Sequence, residues 1–163
     1  MTESQKHFVA VIAGEAIGGC TRCAGCNGSN RVREQKAVAH TIMNRVNEPR
    51  DVWRRATSVS EVLVHAQYKA VGTPEYNKAM EYMNSRDLNN LDPNNDYEIL
   101  IAAVIPIYNG EVEDFTNGAH YIFVAQKSAE FEKGLLKQPN RYKRVGPFQD
   151  VCDESFRMYR CEW

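Results

Sequence analysis

The segment Val9–Ile17 constrains the fold most, because it places one carboxylate, Glu15, within an apolar run. Gly18-Gly19 follows directly, and glycines commonly end helices. The pattern predicts a helix over residues 3–17 that packs into a core. Burial disfavours the charged form of a carboxyl group, so we expect a raised pKa for Glu15, which would suit a general acid. Taken alone, the segment is more simply explained by an amphipathic helix with Glu15 on its polar face.

Helical patterns and capping signals recur along the rest of the chain. Four further helices are predicted. Apolar spacing predicts a helix over 32–47, and the Ser58–Glu61 capping box predicts one from Ser58 toward Tyr68. The Thr73-Pro74 N-cap predicts a helix from Pro74 to about Ser85, and an apolar run predicts one from Asp96 to Tyr108. Polar loops are predicted at 20–31 and 86–95. Residues 118–125 have a composition typical of β-strands. Over the last forty residues the sequence predicts a short helix near Phe131 and a loop or short strand over 141–148. The sequence therefore predicts a mainly α protein with a small extended segment.

Length and charge narrow the class of protein. A chain of 163 residues is expected to form one domain over 1–163, with a cysteine-rich insert at about 20–31. The net charge of −1 gives no indication of a nucleic-acid partner. No apolar run approaches the ~18 residues that a transmembrane helix needs, so membrane insertion is not expected. The N-terminus lacks the pattern of a signal peptide, which predicts synthesis in the cytoplasm.

The five cysteines are unevenly distributed along the chain. Cys20, Cys23 and Cys26 are clustered, whereas Cys152 and Cys161 lie near the C-terminus. An odd number cannot pair completely within one chain. The cluster fits a loop held by one or two disulfides, which we prefer, or unpaired thiols, or a zinc site that uses a fourth ligand. Since no paired CxxC or HxxxH motif follows, we expect no metal and no cofactor.

Three blocks of residues occur in an order that resembles one known family. The blocks are Ala13–Ala16 with Ala37–Val46, Val62-Leu63 with Gln67-Tyr68, and Tyr108–Gly110 with Asp114–Tyr121. Together they resemble the cell-wall hydrolases related to the spore-cortex lytic enzyme SleB, over residues 8–125. The resemblance implies a lysozyme-like α+β fold and cleavage of the glycan strands of peptidoglycan.

The resemblance also implies roles for individual residues. Glu15 matches the single catalytic glutamate of the family, and Asp114 is a second carboxylate that either assists catalysis or forms a turn. The expected substrate-binding residues are Gln67, Tyr68, Thr116, Asn117, His120 and Tyr121. His120 is alternatively a buried histidine with satisfied hydrogen bonds. Family members usually carry Gly-Glu soon after the catalytic motif, whereas here Gly18-Gly19 leads into the cysteine-rich insert.

The expected chemistry is that of a muramidase or a lytic transglycosylase. An acid must protonate the leaving oxygen of the glycosidic bond. The attacking group is then water or, as in the lytic transglycosylases that the family resembles, the 6-hydroxyl of the sugar itself. A protein of this kind would act in the periplasm or cell wall after export or delivery, as an antibacterial effector or a phage lysin. An immunity or inhibitor protein that fills the groove is a possible partner.

Two other classes of function remain open from the sequence. A cysteine amidase would cut the peptide stems of peptidoglycan, with a nucleophile from Cys20, Cys23 or Cys26 and His120 as its base. The position of these cysteines in a loop after a helix fits that mechanism poorly. A non-catalytic interaction module stabilised by zinc is the other alternative.

Overall fold

The computed structural model describes residues 1–16, 28–49, 55–65, 68–124, 129–149, 151 and 156–162. Within these ranges the chain is mainly α, as predicted, with one small antiparallel sheet. The elements in chain order are α1 (Glu3–Ala16), α2 (Gly28–Asn47), α3 (Val59–His65), α4 (Pro74–Ser85), α5 (Asp96–Tyr108), β1 (Tyr121–Val124), α6 (Ala129–Leu136), β2 (Tyr142–Val145) and β3 (Phe156–Cys161).

Helix α1 lies at the centre of the helical part of the molecule. Every residue from Phe8 to Ala13 is fully buried. The helix contacts α2, α3, α4 and α5, so it is covered on most of its circumference. A helix that is apolar all round is stable only in such a setting, because each apolar side chain must leave water.

The capping signals read from the sequence are present in the structure. The Ser58 backbone N–H donates to Glu61 Oε2 and the Glu61 N–H donates to Ser58 Oγ, which is the reciprocal pattern of a capping box. Thr73 Oγ1 accepts from the Tyr76 N–H at the start of α4. These side chains satisfy backbone donors that have no partner within the helix, so the starts of α3 and α4 are defined locally.

The sheet has the order β1-β3-β2, with β3 in the centre and antiparallel to both neighbours. Tyr121 of β1 lies opposite Tyr159 of β3, and Tyr142 of β2 lies opposite Cys161. Side chains alternate between the faces of a sheet, so these four side chains share one face. Helix α6 packs on that face, where the Tyr159 hydroxyl donates to Glu132 Oε1.

The predicted elements differ from the structure in three places. Helix α2 begins at Gly28, so residues 28–31, predicted as loop, are helical. Helix α3 is described to His65, residues 66–67 lie outside the described residues, and Tyr68, toward which the helix was predicted to run, is not helical. Strand β3 was not predicted at all. No described helix combines the length and the apolar character required to cross a membrane.

Candidate functional site

The end of α1 packs unusually closely on the chain segment before α4. A Cβ atom at Gly14 would lie 2.6 Å from Ala70 Cβ and 3.1 Å from Thr73 Oγ1. Real Cβ atoms do not approach another carbon atom as closely as 2.6 Å, so only glycine fits at this position without a shift of its neighbours. The close approach brings the backbone of Ala70 to the carboxyl group of the next residue, Glu15.

The Glu15 side chain is exposed, although its neighbours Ala13 and Ala16 are buried. The expected burial of this carboxylate in a core is therefore wrong. Its pKa is nevertheless raised above the ordinary value, because protein around the carboxyl group removes part of its hydration. A hydrogen bond from the Ala70 backbone and the charge of Lys69 oppose this shift. Glu15 is thus open to a ligand and yet more readily protonated than a fully hydrated glutamate.

Tyr68 lies within electrostatic reach of Glu15 and also contacts Arg45, whose guanidinium contacts a second tyrosine, Tyr121. The guanidinium carbon of Arg45 lies 5.3 Å from the ring centroid of Tyr68 and 4.8 Å from that of Tyr121. Burial raises the pKa of Tyr68, the charge of Arg45 lowers it, and the charge of Glu15 raises it again. Tyr68 therefore lies within electrostatic reach of both Arg45 and Glu15. Cation–π contacts of this kind hold aromatic rings in fixed positions.

Asp114 is held in the turn that precedes β1. Its carboxylate accepts hydrogen bonds from the Thr116 N–H (2.7 Å), the Thr116 hydroxyl (2.7 Å) and the Gly118 N–H (2.9 Å). Asn44 Nδ2 donates to the same carboxylate at 3.0 Å. Burial raises the pKa of Asp114, but these hydrogen bonds together lower it below the ordinary value. The geometry favours the turn-forming role of Asp114 over a catalytic one.

Helix α2 anchors this turn and the start of β1. Asn44 Nδ2 also donates to the Ala119 carbonyl at 3.0 Å, and Arg45 Nε donates to the His120 carbonyl. His40 Nδ1 lies 3.5 Å from Asp114 Oδ1, and burial lowers the pKa of His40 despite that neighbour. Asn44 and Arg45 thus connect α2 to the sheet, and His40 packs in the interior.

His120 is buried, with 1% of its surface exposed. Its Nδ1 accepts from the Cys161 N–H at 3.2 Å, and its Nε2 lies 3.3 Å from Glu48 Oε2. A histidine with both ring nitrogens engaged inside the protein does not contact a substrate directly. This geometry favours the buried alternative for His120.

The three remaining predicted residues are Thr116, Asn117 and Gln67. Thr116 is fully buried within the Asp114 turn, so it supports the turn instead of binding a ligand. Asn117 is exposed in the left-handed region, with φ 59°, and its carbonyl accepts from Arg160 Nη1 at 3.2 Å. Gln67 lies outside the described residues. The structure therefore brings Tyr68 and Tyr121 together around Arg45, with Tyr68 within electrostatic reach of Glu15. It assigns Asp114, Thr116 and His120 to the supporting framework.

The disulfide and metal interpretations fall mostly outside the described part of the chain. Cys20, Cys23, Cys26 and Cys152 are not among the described residues, and the Cys161 side chain is buried. Within the described ranges, no group of three or more His, Cys, Asp or Glu residues could hold a metal ion.

Comparison of the chain with protein-family models, curated proteins and solved structures gives no match.

Proposed function

We propose that the protein cleaves the glycan strands of peptidoglycan and that Glu15 is the general acid. The observation that carries the proposal is the state of Glu15, which is exposed to ligand and has a raised pKa. The pKa values of the described carboxyl groups of Glu61, Glu98 and Asp114 are lowered instead. A carboxyl group that retains its proton at higher pH is suited to protonate a leaving oxygen.

The surroundings of Glu15 support a carbohydrate substrate. Tyr68 is a partly buried aromatic side chain within electrostatic reach of Glu15, and aromatic rings of this kind pack on the apolar faces of sugars. The resemblance of the motifs to those of SleB-related hydrolases indicates the same class of substrate. In this proposal Asp114 is a positioning residue that fixes the turn before β1, and the attack comes from water or from the 6-hydroxyl of the sugar.

Digestion of purified peptidoglycan tests this proposal against its alternatives. The released fragments are identified by mass spectrometry. New reducing ends or anhydro sugars support cleavage of the glycan strand by hydrolysis or by transglycosylation, respectively. Free stem peptides with intact glycans would instead establish an amidase, and the absence of any new fragment under conditions where lysozyme digests the same preparation would contradict the proposal.

A further inference from the structure

The residues on both sides of Glu15 are fixed by contacts with other parts of the chain. Gly14 packs closely on Ala70. On the other side, Gln35 Nε2 donates to the Ala16 carbonyl at 3.2 Å. Ala16 is the last residue described in α1, and carbonyl groups in the last turn of a helix have no N–H donor within the helix. The amide of Gln35 therefore satisfies a helix end directly beside the candidate general acid.

The Gln35 side chain is a rigid support for this helix end. It lies in the interior, with 1% of its surface exposed, and close packing holds a buried side chain in one position. Gln35 belongs to α2, which packs on both α1 and α5. Its hydrogen bond spans 19 residues of sequence, so it connects the end of α1 to a second, firmly packed helix.

The other end of the same amide is unused. Gln35 Oε1 is buried and has no hydrogen-bond partner within the described part of the chain. A buried acceptor without a partner costs free energy, because it has lost its hydrogen bonds to water. An apolar side chain of similar size would avoid that cost, so stability alone gives little reason for an amide at this position. The donor end, which holds the residue after Glu15, gives a more direct reason.

We propose that Gln35 is a positioning residue, whose buried amide fixes the last turn of α1 and thereby the place and the hydration of the Glu15 carboxyl group. Because Gln35 is buried, it acts through α1 and not by contact with a substrate. Without its hydrogen bond the end of α1 gains mobility, and water reaches the carboxyl group more freely. The catalytic consequence rests on the proposed function, whereas the effect on Glu15 is measurable without any activity.

Gln35→Met tests the proposal, because methionine is similar in length and has no N–H donor. The first readout is the pKa of Glu15, measured by NMR titration of the side-chain carboxyl carbons, with Glu15→Gln to identify the signal. Desolvation is the largest cause that raises this pKa, so greater hydration in Gln35→Met should lower it toward 4.5. The other titratable groups within reach of Glu15, Lys69 and Tyr68, are unchanged in this variant.

The second readout is the digestion of peptidoglycan. A displaced general acid should lower kcat by up to ~10²-fold, while KM changes little, because Gln35 does not contact the substrate. The falling limb of the pH profile should move to lower pH together with the pKa of Glu15. Tyr159→Phe is the control, because it removes another buried hydrogen bond, from the Tyr159 hydroxyl to Glu132. It should leave both the pKa of Glu15 and kcat unchanged.

Gln35→Leu carries the same predictions as Gln35→Met, should the latter not fold. Failure of both variants to fold would assign the amide to stability and overturn the proposal. An unchanged pKa of Glu15 in a folded variant of Gln35 would overturn it too, as would an equal shift in Tyr159→Phe. A lowered pKa in Gln35→Met, with no digestion by the unchanged protein, would support the positioning role and contradict the proposed function. The two proposals therefore fail separately.

Discussion

At the scale of single residues, Gly14 and Glu15 are linked through Ala70. Gly14 allows the end of α1 to approach Ala70, and the backbone of Ala70 forms a hydrogen bond with the Glu15 carboxyl group. The sequence predicted the direction of the Glu15 pKa shift and its cause, desolvation of the carboxyl group, but not the exposure of the side chain. The opposing effects of the Ala70 backbone and the Lys69 charge come from residues far along the chain, which no local pattern reveals.

Gly14→Ala should destabilise the protein although alanine is the better helix former. The added Cβ would lie 2.6 Å from Ala70 Cβ, and overpacking of this kind costs ~1–3 kcal/mol. Gly134→Ala is the control, because Gly134 is also helical and a Cβ there would meet nothing within 4 Å. That substitution should stabilise by ~0.4–1 kcal/mol. Denaturant unfolding of both variants checks the opposite signs, and a neutral Gly14→Ala would contradict the close packing.

The pH dependence of activity should follow the protonation of Glu15. A general acid works only in its protonated form, so kcat/KM should fall as the pH rises through the raised pKa of Glu15. Lys69 lowers that pKa, so Lys69→Gln should move the falling limb of the pH profile to higher pH. Lys78→Gln changes another exposed lysine, on α4, and should leave the limb in place. An unmoved or downward-shifted limb in Lys69→Gln would contradict this assignment.

At the scale of elements, the helices were largely predictable and the sheet was not. The boundaries of α4 and α5 follow from local caps, Thr73 and Asn95, whose side chains accept from the first backbone N–H groups. Strand β3 lacks a clear alternation, because the adjacent residues Met158 and Tyr159 are both buried. A central strand covered on both faces loses the two-residue period that identifies strands.

The beginning of α2 shows that local helix propensity does not always predict where a helix starts. The helix starts with Gly28-Ser29-Asn30, three residues with low intrinsic helix propensity. Their composition predicts a loop, and the surrounding structure overrides it. The site shows the same limit, since Thr116 and His120 have side chains that serve equally in binding sites and in interiors. Only their tertiary positions show that both are buried.

The Asp114 turn connects α5 to β1, and its stability should depend on pH. The folded-state pKa of Asp114 lies below its ordinary value of 3.8. On acidification the unfolded chain is therefore protonated first, so the stabilisation is present above 3.8 and is lost as the pH falls through the folded-state pKa. Asp114→Asn should lower the free energy of unfolding near neutral pH by ~1–3 kcal/mol, because backbone donors lose a charged acceptor.

The difference in stability between Asp114→Asn and the unchanged protein should shrink toward zero in acid, as measured by denaturant unfolding over a pH series. Glu113→Gln, an exposed neighbour on the same turn, should change stability little at any pH. A variant of Asp114 with unchanged stability and greatly reduced turnover would establish a catalytic role and contradict the positioning role assigned here.

At the scale of the whole molecule, the helices and the sheet contribute different residues to the candidate site. The buried helix α1 carries Glu15 at its end, and α2 connects that region to the sheet through Asn44 and Arg45. The sheet adds Tyr121, whose ring contacts the guanidinium of Arg45. Because the carboxyl group and the rings are attached to packed helices and strands, a ligand would meet a largely preformed surface, which reduces the entropy lost on binding.

The most direct test of the account compares Glu15→Gln with Glu81→Gln in the digestion of purified peptidoglycan. Glutamine keeps the shape of Glu15 but cannot donate the proton, so the rate of release of glycan fragments should fall by ~10²–10⁴-fold. Glu81 is an exposed carboxylate on α4, and its variant should digest at the unchanged rate. Near wild-type digestion by a folded Glu15→Gln variant would contradict the central claim that Glu15 is the general acid.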